Sequence, residues 1–294
     1  MDTRFLQSFV AVVESGSVAD AARRLGLAPT TIAQQMKALE ADIGSELLMR
    51  VGRTVKPTVV GARIVEQARD LLRSVQDLRS AASDTGLPAG PLRLGATPTA
   101  LMGLLPPILR RWMSAYPATQ IYIEPGTSAT LLQRVMSGQL DAAILVHPPF
   151  ALHKTCAWEP LRAEPLIMLT PSEMKVQDVF ITAAREPFIL YDRNVVAGKM
   201  ADDYLRRNNV RPKVRFELDG IEHIAQLVAE GFGVSILPDW PLLGPPDPRT
   251  KRWKLPAPCP SREVGLVWLR HSTRSPLATA LYGLARSSAV KFSR

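Results

Sequence analysis

Residues 4–61 admit few folds, because glycines at short intervals cut an otherwise helical stretch into three pieces. Phe5, Leu6, Phe9, Val10, Val12 and Val13 recur at helical spacing and give the first piece one apolar face. Glu14-Ser15-Gly16-Ser17 stops it: Gly16 suits a left-handed cap, and Ser17 suits the N-cap of a helix over Val18–Leu25. Asp20 falls three residues after Ser17, where a carboxylate can bond back to the cap. Gly26 ends the second helix, and a third starts after Leu27-Ala28 with Pro29 in its first turn. Two helices joined by a short glycine-containing turn form a helix-turn-helix.

The third helix carries Thr30, Thr31, Gln34, Gln35 and Lys37 on its expected outer face, with Ile32, Met36 and Leu39 turned inward. Hydroxyls and amides near the start of such a helix reach base edges in the major groove, and Gln pairs with adenine at two points. Past Gly44, Leu47-Leu48-Met49-Arg50 and Thr54-Val55-Lys56-Pro57 read as a two-stranded wing whose turn holds Gly52-Arg53. An Arg at a wing tip is placed for phosphate or the minor groove. The candidate DNA contacts are therefore Ser17, Thr30, Thr31, Gln34, Gln35, Lys37, Arg50 and Arg53.

In this order and spacing the segment resembles the N-terminal domain of the LysR-type transcriptional regulators. The likeness runs through Gly16-Ser17, Ala21-Ala22-Arg23-Arg24-Leu25, Leu39-Glu40, Ile43-Gly44, Leu47-Leu48, Arg50, Gly52-Arg53 and Thr58 to Gly61. It departs at Val18, where the family has an aromatic, at Gln34, where members often carry Arg, and at Ala28-Pro29-Thr30-Thr31, where it has Ser-Gln-Pro-Ala. Ala28 offers no side-chain cap, at a cost of roughly 0.5–2 kcal/mol unless Thr30 or Thr31 compensates. The fold carries over; the operator bases do not.

From Val59 to about Ser83 a long helix places Ile64, Ala68, Leu71, Leu72, Val75, Leu78, Ala81 and Ala82 on one stripe. Such a stripe needs a partner, either a second chain or the chain's own domain. The resemblance implies the first, since LysR-type proteins dimerise through this helix. Thr85 to Pro91 then reads as a hinge.

The remainder alternates strand-like and helix-like segments, as in α/β proteins. It resembles the LysR-type effector domain, similar to periplasmic binding proteins, through Thr97, Leu104-Leu105-Pro106, Tyr116-Pro117, Leu140-Asp141-Ala142-Ala143-Ile144 and Val228 to Pro238. The expected organisation is a winged helix-turn-helix at 1–58, a linker helix at 59–84, a hinge at 85–90 and a two-lobed α/β domain at 91–294. One lobe takes about 91–162 and 267–294, the other about 163–266. A helix through Leu105 to Trp112 is expected to begin at Thr97-Pro98-Thr99.

Ligands of open α/β sheets sit beyond the carboxyl ends of strands, against helix N-termini. Thr97-Pro98-Thr99 and Gly126-Thr127-Ser128 are two such termini with hydroxyls, suited to a carboxylate or phosphate. Taken alone each is equally well a simple helix cap; in LysR-type proteins both loops line the effector cleft. His147, Phe150, Tyr191, Arg193, Gly220 and Ile221 are expected to border it, Phe150 and Tyr191 as aromatic walls and Arg193 as an anion partner.

The function implied is a sequence-specific regulator that binds double-stranded DNA at a dyad-symmetric operator, tuned by a small carboxylate or other anion. Its partners would be copies of itself, as a dimer of dimers, and RNA polymerase. The four histidines are scattered and no catalytic motif appears, so neither an enzyme, a metal nor a cofactor is expected. An enzymatic or ligand-binding domain fused to a DNA module is the competing class. A redox sensor built on Cys156 and Cys259 is another alternative, against two inert thiols. No apolar run approaches the ~20 residues that span a bilayer, and no signal-peptide pattern opens the chain, so the cytoplasm is expected.

The net charge of +9 is not seated in the DNA module. Residues 1–64 hold eight Lys/Arg and six Asp/Glu, whereas 249–294 hold ten Lys/Arg and one acid, Glu263. That tail is either a solvated basic face or a patch for DNA or an acidic partner.

Overall fold

The computed structural model describes residues 1–294 except 53, 82–86, 89, 242–244 and 290–294, with the backbone alone at 76, 77, 79–81 and 287–289. The chain divides into two compact units, Met1–Gly90 and Pro91–Arg294.

The first unit contains α1 (Thr3–Ser15), α2 (Val18–Leu25), α3 (Pro29–Ile43), β1 (Leu48–Val51), β2 (Thr54–Pro57) and α4 (Val59–Ala81). Gly16, Gly26 and Gly44 close the three helices at φ of 66°, 67° and 74°, where a side chain would be strained. Phe9, Val12, Ala21, Ile32, Leu39 and Leu47 form its core, with Val65 and Ala68 of α4 packed into it. Glu40 fixes the wing to α3: its Oε1 accepts from the Leu47 and Leu48 amides at 2.8 and 3.2 Å. At Gly61 the α4 backbone lies so near the Leu47 carbonyl that a Cβ would collide with it.

The second unit is an α/β fold of two lobes. In the first, β3 (Leu92–Ala96) lies between β4 (Ile121–Pro125) and β5 (Ala142–Val146), parallel to both. The helices α5 (Leu105–Ala115) and α6 (Ser128–Met136) connect them. Strand β6 (Cys156–Pro171) then runs from one lobe to the other. Its first part pairs with β11 (Ser261–Leu269), while Leu166 onward pairs with β9 (Ser235–Pro238) and β10 (Thr250–Lys254). Strand β11 is the return path: it joins β5 on its other edge, so one seven-stranded sheet continues through both lobes.

The second lobe adds α7 (Val179–Arg185), β7 (Pro187–Tyr191), α8 (Val196–Arg207), β8 (Lys213–Leu218) and α9 (Ile221–Ala229). It buries two apolar clusters, one around Phe188, Tyr204 and Ile236, the other around Ile189, Ile224 and Leu237. The chain returns to the first lobe and ends in α10 (Ser275–Ala289).

The expected helix after Thr97 begins differently. Ala100–Leu104 is a π-helical turn, in which the Leu105 amide donates to the Ala100 carbonyl, and α5 starts only afterwards. Pro106 and Pro107 lack N–H groups, and a proline ring collides with the carbonyl four residues back, so the preceding turn widens. Gly103 in that turn lies so close to Pro241 of the second-lobe segment that a Cβ would overlap its ring and carbonyl.

Candidate functional sites: a DNA-reading helix and an interlobe cleft

Helix α3 presents Thr30, Gln34 and Lys37 to solvent, with Thr31 half-buried beside them. Ala28 makes no side-chain cap, and Pro29 opens the helix. Gln35 is a correction to its expected exposure. Ser8 of α1, 1% exposed, donates its hydroxyl to Gln35 Oε1 at 2.5 Å, so this amide satisfies a buried group instead of facing outward. Ser17 caps α2 by accepting from the Asp20 amide at 3.4 Å, and the Asp20 carboxylate pairs with Arg23. Arg50 is exposed on the wing, its Nε donating to the Gly52 carbonyl at 3.3 Å. Arg53 lies outside the described residues, as do Thr85, Gly86 and Ala89 of the expected hinge.

In the second unit, Thr97 and Thr99 follow β3 and are buried at 6% and 8% exposure, whereas Pro98 between them is exposed. Thr127 is the N-cap of α6, its Oγ1 accepting from the Thr130 amide at 3.2 Å. Ser128 accepts from the Val146 amide at 3.1 Å, which ties α6 to the end of β5. His147 is half-buried and meets the edge of Trp158 at 4.7 Å between centroids. Gly220 is the N-cap position of α9 and Ile221 is buried behind it.

Two expectations in this region change. Arg193 is engaged by Glu217 at two points, Nε to Oε1 at 3.0 Å and Nη2 to Oε2 at 2.7 Å, so its charge is already matched. Phe150 is 61% exposed and Tyr191 is 7% exposed, so the two do not make similar walls. Tyr191 lies against Arg262; burial pushes its phenol up to about 12, Asp219 and Glu222 add to the rise and Arg262 opposes it.

The residues that join these parts were not among the sequence candidates. Arg262 on β11 and Glu164 on β6 are register partners, 4% and 1% exposed. Both Nε and Nη2 of Arg262 reach Glu164 Oε2, at 2.8 and 2.7 Å. The same guanidinium donates to Thr99 Oγ1 at 3.3 Å. Burial pushes the Glu164 carboxyl up, and Arg262 pulls it back. Arg162, two residues before Glu164, donates to the Asp239 carbonyl at 3.3 Å. The crossover strands thus carry a buried charged pair that touches Thr99 of the first lobe and lies against Tyr191 of the second. The signal was present: Arg162 and Glu164 alternate immediately before the apolar run Leu166 to Thr170, as inward charges on a strand would.

The arrangement is a winged helix-turn-helix in one unit and a two-lobed α/β fold in the other. The family profile described as LysR substrate binding domain matches residues 85–289, and that described as bacterial regulatory helix-turn-helix protein, lysR family, matches 3–62. The chain belongs to the LysR family. It is a DNA-binding transcriptional regulator with an effector-binding domain. The regulator IlvY of Escherichia coli K12 is 29% identical over 261 residues, 86% of each chain. The nitrogen assimilation regulatory protein nac of Klebsiella aerogenes is 28% identical over 244 residues, 81% of this chain and 79% of that one. Among solved structures, a full-length OxyR variant from Pseudomonas aeruginosa superposes with a TM-score of 0.66 at 25% identity, over 97% of this chain and 95% of that one. The LysR-type fold also matches CbnR complexed with its target DNA, at a TM-score of 0.68 and 20% identity over 98% and 100% of the two chains.

The redox alternative is not supported. Cys156 is buried in the first-lobe cluster around Leu131 and Val267, whereas Cys259 packs on the second-lobe cluster. Burial pushes the Cys259 thiol up, which lowers its thiolate fraction, and Sγ lies 3.3 Å from the Leu166 carbonyl. Among the described residues no group of three His, Cys, Asp or Glu is placed to hold a metal, and no helix is long and apolar enough to cross a membrane.

Proposed function

We propose that this LysR-type regulator acts in the cytoplasm as a dimer of dimers, reads a dyad-symmetric operator, and responds to a small effector bearing a carboxylate or other anion. The observation that carries the DNA assignment is the row Thr30, Gln34 and Lys37, exposed along α3, together with the exposed Arg50 of the wing. Ser17, Thr31 and Arg53 complete the contact set, and Gln35 supports it from behind. Residues 1–58, 59–84, 85–90 and 91–294 serve as DNA-binding domain, linker, hinge and effector domain.

Helix α4 supports the oligomer. Its first half is used within the unit, by Val65 and Ala68, while Leu71 and Leu78, seven residues apart, are 48% and 71% exposed. A heptad-spaced apolar pair without a cover fits the same helix of a second copy. Paired modules also multiply the bases read and the affinity.

Thr97, Pro98, Thr99, Thr127, Ser128, His147, Phe150, Tyr191, Arg193, Gly220 and Ile221 border the effector site, with Thr99 and Ser128 closest to the binding step. Effector binding shifts operator bending and contact with RNA polymerase only if the ligand prefers one quaternary state. No catalytic step is assigned to the chain. Mobility shift and footprinting on DNA upstream of its own gene, against random competitor, test the reading. A protected dyad-symmetric site is expected; equal binding to random DNA overturns operator recognition there.

A further inference from the structure

The DNA module holds its long helix α4 at three places, and all three lead back to the helix-turn-helix. The first runs through a single residue. Leu47, 1% exposed, donates its amide to Glu40 Oε1 of α3, and its carbonyl accepts from the Thr58 amide at 2.9 Å. The Thr58 hydroxyl donates to the Glu46 carbonyl at 2.8 Å and accepts from the Gly61 amide at 3.0 Å, which caps the first turn of α4. Gly61 is buried against the same Leu47 carbonyl, where a Cβ has no room. One turn further on, Val65 and Ala68 enter the core with Phe9 and Ile32. Arg69 then reaches Glu14 Oε1 of α1 at 3.3 Å, and Glu14 Oε2 accepts from Arg24 of α2 at 2.7 Å.

These contacts fix a direction as well as a position. From Gly61 to Arg69 the restraints span about 12 Å of helix axis. A helix gripped at one point can pivot; one gripped over that length tilts only by breaking a bond or opening the core. Helix α4 has 23 residues and is roughly 34 Å long. A tilt of about 10° at its gripped end would carry the far end roughly 6 Å, nearly two base-pair steps of about 3.4 Å each. A joint that loose would let paired modules drift between neighbouring registers on DNA. One held through Leu47 and Gly61 delivers α3 to a set place.

We propose that Glu40, Thr58 and Gly61 are positioning residues that lock the recognition helix to the linker helix, so that the half-site spacing read by a dimer is set inside the DNA module. This rests on the operator and dimer readings above and adds which residues set the geometry of the operator. They act through α3 and α4, not by touching a base. Any effector-driven change in bending then arises beyond this joint, in how the copies pair.

The test is selection from a library of random-sequence duplexes with the full-length parent, followed by affinity measurements on the enriched dyad with its centre lengthened or shortened base pair by base pair. The parent is expected to prefer one spacing about tenfold or more over its neighbours. Glu40→Ala and Thr58→Val, which each cut a bond in the chain from α3 to α4, should lower that preference to about threefold or less. Gly61→Ala, which pushes α4 off Leu47, should move or flatten the optimum. Glu40→Gln keeps an acceptor oxygen and should keep the parent's preference, and all variants should enrich the same half-site sequence. Spacing preference is a ratio within one preparation, so a partly unfolded variant still reports it. A residue that only stabilised the fold would weaken binding at every spacing alike. A parent without a spacing preference, or Glu40→Ala, Thr58→Val and Gly61→Ala all keeping the parent's preference, would overturn the proposal while leaving the operator reading standing. A parent that enriches no dyad would count against that reading itself, and the proposal would fall with it.

Discussion

Arg262 and Glu164 face one another across neighbouring crossover strands, and two guanidinium nitrogens close on the same carboxylate oxygen at 2.8 and 2.7 Å. Each is at most 4% exposed, so neither charge has water to fall back on. A pair of this kind adds little net stability, but removing one member strands the other. Arg262→Met is therefore expected to destabilise the protein by about 3–5 kcal/mol, and Arg262→Met with Glu164→Met to recover most of that loss. Urea unfolding of the singles and the double gives the comparison. A double variant no better than the sum of the singles would mean the two side chains act independently.

The neighbouring amides Gln34 and Gln35 should fail in different ways. Gln34 is exposed on α3, so Gln34→Ala is expected to cost about 1–3 kcal/mol of operator binding with little change on random DNA. Gln35 satisfies the buried Ser8 hydroxyl, so Gln35→Ala should lower folding stability by about 1–3 kcal/mol and affect both DNAs alike. Parallel binding and unfolding curves separate the two. Equal losses by Gln34→Ala on operator and random DNA would remove it from the base-reading set.

The difference between those two residues marks what a linear sequence makes legible. The caps at Gly16, Gly26 and Gly44 were readable because glycine is the residue that tolerates a positive φ, and the pattern around it is local. Alternating apolar runs made the α/β class readable, and the two-lobed organisation came only through the resemblance to the LysR-type effector domain. Gln35 was misjudged because its partner lies 27 residues away, on a helix whose rotation no period fixes. Arg262 and Glu164 are separated by 98 positions and meet only through the register of β6 with β11. The π-helical turn had a local cause in Pro106-Pro107, but proline forecasts a break more readily than the form the break takes.

Tyr191 makes stability depend on alkaline pH. Its phenol is pushed up to about 12 in the folded protein, chiefly by burial, against about 10 when unfolded. The unfolded chain therefore loses this proton first. The contribution is fully present below pH 10 and is lost as pH rises toward 12, about 2–3 kcal/mol in all. Tyr191→Phe should flatten that decline relative to the parent when unfolding is followed at stepped pH. An identical slope in both proteins would show that the alkaline loss comes from other groups.

Two adjacent hydroxyls on α6 should divide between holding the fold and sensing the effector. Thr127 caps the helix, so Thr127→Ala should cost about 0.5–2 kcal/mol of stability, and Thr127→Ser should restore it. Ser128 accepts from Val146, and under the proposed function its own proton is left to donate to an anion at the helix N-terminus. Ser128→Ala is expected to shift the effector dose–response of operator binding by about tenfold, with effector-free DNA affinity within about twofold of the parent. Thr99→Ala should shift it likewise, since Arg262 would lose the acceptor that joins it to the first lobe. Fluorescence anisotropy on labelled operator, with and without an effector found by screening, reads both quantities at once. An unchanged midpoint in Ser128→Ala and Thr99→Ala would place the binding step elsewhere in the cleft, whereas a shift in Thr127→Ala larger than its stability loss explains would move Thr127 into it.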